Sequence, residues 1–153
     1  MSQAHCTGVI FNCLSDRNVN LISRLYEIIK INELYPSLIE NSDVKNIALI
    51  FNALAKLDKA EASETILEFY RKISDHRDKW TAIIDLAKPQ DIAIIFNALA
   101  KLDQAEASEK ILEFYRKISG QKGKWPKIID QSNGKDLAMI FNKDMEVYLK
   151  LIN

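Results

Sequence analysis

The nine residues IFNALAKLD occupy positions 50–58 and recur, letter for letter, at 95–103. The identity runs further. Phe51–Ser74 reads FNALAKLDKAEASETILEFYRKIS and Phe96–Ser119 reads FNALAKLDQAEASEKILEFYRKIS, so only two positions in 24 differ, Lys59 against Gln104 and Thr65 against Lys110. Sixteen residues before each phenylalanine stands an aromatic followed by an apolar pair: Tyr35 with Leu38 and Ile39, Trp80 with Ile83 and Ile84, Trp125 with Ile128 and Ile129. Another IFN falls 45 positions after the second, at 140–142, and an early one at 10–12, which is 40 before Phe51. The chain therefore reads as a degenerate copy, two close copies and the opening of a fourth. Self-similarity at a period of 20–50 residues belongs to stacked repeat architectures.

The periodicity inside one copy is helical. Ile92, Ile95, Phe96, Leu99 and Leu102 share one face of a helix over 89–102, with Pro89 and Asp91 suited to its first turn. Ala93 and Ala100 leave room beside that face for a neighbouring helix. The same helix, A, is expected over 44–57 and 134–147. Asp58 with Glu61, and Asp103 with Glu106, resemble capping boxes that start a helix B, inward on Ala107, Ile111, Phe114, Tyr115 and Ile118 and outward on Glu109, Glu113, Arg116 and Lys117. A short third helix is expected at PKIID, opened by Pro126, and in degenerate form at YPSLIE. With four glycines and no useful strand alternation the fold class is all-α. One such unit cannot bury both faces of its helices, so neighbours must stack into a short α-solenoid, with repeats near 1–42, 43–87 and 88–132 and a partial one over 133–153, in a single domain of 153 residues.

Charge and chemistry bound the function. The chain carries 21 basic and 21 acidic residues and so has no global field to recruit nucleic acid or membrane. No apolar run approaches a membrane span and the N-terminus lacks a secretory layout, so a cytoplasmic protein is expected, with non-classical export into a host cell left open. Cys6 and Cys13 read as small core residues and not as a metal site with His5; His76 reads as an exposed loop residue. HExxH, GxSxG, paired CxxC and phosphate-binding glycine motifs are absent from the sequence. The expectation is a non-catalytic binding module without cofactor or metal.

The asparagine of each IFN is the most informative polar residue. Asn12, Asn52, Asn97 and Asn142 hold one helix-A position, which stacking would align as a ladder, with Lys56 and Lys101 one turn on. An asparagine amide offers donors and an acceptor, so the ladder either ties the neighbouring repeat's backbone or meets an extended polymer. Lys45, Gln90 and Lys135, which differ between copies, are candidate selectors. The tryptophans read as inter-repeat core or as base-stacking platforms.

Trp80 followed by AIIDLAKPQDIAIIFNALAKLD resembles the octotricopeptide repeat, and more distantly the heptatricopeptide repeat: an aromatic, an apolar pair, then a helix of the type DLAxILxALAKL. The resemblance covers Tyr35–Asp58, Trp80–Asp103 and, less closely, Trp125–Asn142. It implies an α-solenoid that binds single-stranded RNA, asparagines to bases and lysines to phosphates. An armadillo-like scaffold holding an extended peptide, as in a host-directed effector of an intracellular bacterium, is the alternative, and association through exposed repeat ends is a further expectation.

Overall fold

The computed structural model describes residues 19–141. All regular structure among them is helical: α1 Val19–Ile31, α2 Tyr35–Asn41, α3 Val44–Leu54, α4 Lys59–Asp75, α5 Lys79–Leu86, α6 Pro89–Leu99, α7 Gln104–Ser119, α8 Lys124–Gln131 and α9 Gly134–Phe141. The expected helices A are α3, α6 and α9, the helices B are α4 and α7, and α2, α5 and α8 are the short third helices. Residues beyond 141 of the helix expected over 134–147 lie outside the described residues, as do Cys6, Cys13, His5, Asn12 and Asn142.

Helix A forms as the sequence dictates but stops sooner. In α3 the Asp43 carboxylate accepts from the Asn46 amide at 2.8 Å, starting the helix, and Ile47, Ile50, Phe51 and Leu54 turn inward and are buried. Helices expected to reach 57 and 102 end at Leu54 and Leu99. After Ala55 and Ala100, which still bond to i−4 carbonyls, the next two residues close on i−3 carbonyls: Lys56 N to Ala53 O and Leu57 N to Leu54 O, then Lys101 N to Ala98 O and Leu102 N to Leu99 O. The reason is the short path to the next helix start, which forces a tight final turn while Leu57 and Leu102 stay buried.

The two helix-B starts differ although each has the same aspartate and glutamate three residues apart. The Asp58 carboxylate accepts from the Glu61 amide at 3.0 Å. The Asp103 carboxylate makes no such cap, against expectation. Its backbone amide instead donates to Ser63 Oγ at 3.0 Å, across from α4. The third helices open on a left-handed residue at one repeat position, Glu33 (φ 52°), Asp78 (φ 64°) and Gly123 (φ 82°). Consequently α8 begins at Lys124, and Pro126 sits within its first turn instead of opening it.

Helix α6 lies against α3 on one side and α9 on the other, the two most extensive helix pairings. The helix-B row is joined by hydroxyls: Tyr26 donates to Thr65 O at 3.2 Å, Tyr70 to Glu113 Oε1 at 2.9 Å and Ser23 to Glu61. Glu113, expected to face water, is therefore a partner between copies. Aromatic rings thread the core. Trp80, 5% exposed, touches Phe51 and Tyr70 of its own copy and Phe114 of the next, at centroid distances of 6.4, 4.8 and 5.3 Å. Trp125 packs on Tyr115 and Phe141 and is half-buried.

Two lysines clamp copy to copy. Lys79 Nζ donates to Ser42 O at 3.1 Å, and Lys124 Nζ to Asp85 O and Ala87 O, both at 3.2 Å. These carbonyls lie at the C-terminal ends of α2 and α5, where a cation also meets the negative helix pole.

Candidate binding surface

Helices α3 and α6 are buried nearly all round, and what remains open is a narrow stripe. On α3 it comprises Lys45, Leu49 and Asn52, continued by Lys56 in the turn; on α6, Gln90, Ile94 and Asn97, continued by Lys101. Spacings of four, three and four residues keep one side of a helix in line. On α9 the matching positions are exposed Lys135 and half-buried Met139. Because α6 touches both α3 and α9, these residues form rows across three helices: Lys45, Gln90, Lys135; then Leu49, Ile94, Met139; then Asn52 and Asn97; then Lys56 and Lys101. Every described candidate from the sequence lies on this stripe. Lys56 and Lys101 stand on the turns after the helices, not on the helices themselves.

The apolar row was not anticipated. Its signal was present, since Leu49 and Ile94 stand three residues before each asparagine, but helical periodicity alone assigns such residues to a core.

Lys45, Lys101 and Lys135 form no ion pair with another described residue. Beside Lys45 the Asp43 carboxylate accepts from the Asn46 amide and beside Gln90 the Asp91 carboxylate accepts from the Lys88 amide at 3.2 Å, while Asp103 stands two residues from Lys101 and Asp136 next to Lys135. Asn52 and Asn97 are half-exposed and make no side-chain hydrogen bond to a described residue. They do not tie the neighbouring copy's backbone; Lys79, Lys124 and the tyrosines do that instead. The described aromatics are buried in the core apart from half-buried Trp125 and Phe141, so Trp80 offers no platform to a base.

A groove of about 790 Å³ continues the stripe between the turns that follow α3 and α6. Its lining includes Leu57, Ala62, Leu102 and Ile111, with Lys59, Lys101, Asp103, Gln104 and Ser108 as polar groups. A second groove, of about 820 Å³, lies between α2 and α4. Its polar groups are largely engaged with one another: Tyr35 donates to Glu68 at 2.7 Å, Lys30 pairs with Glu68 at 3.6 Å, and Lys72 stands 5.6 Å over the Tyr35 ring. His76 borders it, half-buried at the C-terminal end of α4 and not the freely exposed loop residue expected.

Burial pushes the Tyr26, Tyr35 and Tyr70 hydroxyls well above the usual tyrosine range, reinforced at Tyr35 by the Tyr26 bond and at Tyr70 by the Glu113 carboxylate. Burial lowers Lys79 and Lys124. Among the described residues no histidine, cysteine, aspartate or glutamate group is arranged to hold a metal ion, and no helix is long and apolar enough to cross a membrane. The chain matches no protein-family model, no curated protein and no solved structure.

Proposed function

We propose that the chain is a short α-solenoid of 45-residue helical repeats and a non-catalytic module that binds single-stranded RNA across its helix-A surface. The observation that carries this reading is the register of the stripe. Lys45, Gln90 and Lys135, Asn52 and Asn97, and Lys56 and Lys101 align over adjacent helices, so one strand crossing the helices meets amides and ammonium groups in every copy. Lysines neutralise phosphates regardless of sequence, while asparagine amides can pair with base edges. The resemblance to octotricopeptide repeats supports the same assignment. With the aromatics inward, bases rest against Leu49, Ile94 and Met139. The armadillo-like reading, in which the asparagines grip an extended peptide backbone, is favoured by that same apolar row.

Filter binding of a random single-stranded RNA pool at about 50 mM salt, where phosphate contacts are strongest, tests it. Retention is expected, and Lys45→Ala with Lys101→Ala should reduce it without changing the melting temperature. No retention, with capture of extended peptides that depends on Asn52 and Asn97, would transfer the surface to a protein partner.

A further inference from the structure

The FNALAKLD segment occurs twice, so a groove walled by two such turns forms once, between α3–α4 and α6–α7. Three features set this groove apart. It shares Lys101 with the stripe, so a strand on the Lys56–Lys101 row passes its mouth. It contains both members of the Lys59/Gln104 pair, one of only two differences in 24 aligned residues. And it is lined by Asp103, whose carboxylate has no hydrogen bond and no ion pair to a described residue, whereas the Asp58 carboxylate accepts from the Glu61 amide. The Asp103 backbone amide donates to Ser63 Oγ of the neighbouring copy.

Resting on the RNA reading, we infer that this groove is a pocket for one guanine base of the bound strand, with Asp103 as its reader. A carboxylate presents two acceptors side by side. Among the four bases, guanine alone carries two adjacent donors on its Watson–Crick edge, the N1–H and the N2 amine, which match them. Adenine, cytosine and uracil each present a single donor there beside acceptors that a carboxylate repels. Gln104 and Ser108 supply donors for the guanine O6, and Lys59 and Lys101 neutralise the flanking phosphates. The apolar floor of Leu57, Leu102 and Ile111 accommodates the base face.

The test uses the full chain and labelled oligouridylates in which one central residue is U, A, C or G, compared by fluorescence anisotropy at about 50 mM salt. The G-containing strand should bind about tenfold more tightly than all-U, within the discrimination of one bidentate base contact, at one strand per chain. Asp103→Asn, which retains a residue able to start a helix, should abolish the G advantage and leave all-U affinity intact. Asp58→Asn should keep the advantage. Binding of all four strands with equal affinity, or a G preference that survives Asp103→Asn in a protein of unchanged helicity, overturns the guanine pocket and leaves the RNA reading standing. No binding of any strand overturns both.

Discussion

Single residues show which local rules the repeat obeys and which it strains. Phe96 is 2% exposed and packs on Phe114 and Tyr115 at 4.8 and 4.7 Å. Phe96→Ala should therefore lower unfolding free energy by about 3–5 kcal/mol, read by urea denaturation; a melt equal to wild type would mean that helix A faces the other way. That burial was legible, because offsets of three and four residues mark a helix face. The left-handed position was not. Glu33 and Asp78 carry carboxylates and Gly123 no side chain, and only the backbone reveals that one conformation is asked of all three. A non-glycine residue there is strained by roughly 1–2 kcal/mol, so Asp78→Gly should stabilise by about 0.5–1 kcal/mol after the added freedom of the unfolded chain. Gly123→Ala should destabilise through strain alone, since nothing lies within 4 Å of the added methyl. Opposite signs for the two exchanges in thermal melts check the argument; like signs would refute it.

At the scale of helices, apolar periodicity revealed where elements exist and poorly where they end. The overrun at 57 and 102 arose because Leu57 and Leu102 keep helical spacing while sitting in turns closed by i−3 bonds. The polar contacts between copies were illegible for another reason: they join residues far apart in the chain, such as Lys79 to Ser42 and Tyr70 to Glu113, and single-chain spacing carries no sign of them. Replacing Lys79 or Lys124 by Met takes the donor from carbonyls at the ends of α2 and α5 and should lower stability by about 1 kcal/mol each; no loss in urea melts would show the clamps to be idle. The tyrosines set a pH limit. Their folded pKa values are raised, so the fold favours the protonated hydroxyl. Their contribution is complete below the unfolded value near 10 and falls as pH rises past it, at up to about 1.4 kcal/mol per pH unit for each group. Lys79 and Lys124, lowered by burial, act with the opposite sign. Comparing urea melts of Tyr70→Phe and wild type between about pH 8 and 11 isolates one tyrosine: the variant should lose less stability above pH 10, and parallel curves would exclude Tyr70 from the alkaline limit.

For the whole molecule, net charge says less than where each charge is placed. Twenty-one bases against 21 acids suggested no attraction for a polyanion, yet Lys45, Lys101 and Lys135 share the helix-A stripe with Lys56 while Asp43, Asp58 and Asp91 bond backbone amides at helix starts. The asparagine and lysine rows were visible in the sequence because the repeat aligns them. The groove beside them was not, because it exists only where two turns from different copies meet. If the four stripe lysines each displace one counterion from a single strand, the plot of log affinity against log salt should slope at about −3, from roughly 0.7 per phosphate contact. Lys45→Ala with Lys101→Ala should flatten that slope by about 1.4 and weaken all sequences alike, whereas Asn52→Ala with Asn97→Ala should leave the slope and change which sequences are preferred. Both pairs lie off the packed faces, so circular dichroism should be unchanged. A slope that stays near −3 after both lysines are removed would place the phosphates elsewhere on the molecule. A slope near zero in the unaltered protein would mean that the stripe meets an uncharged partner, with the apolar row of Leu49, Ile94 and Met139 as its main contact.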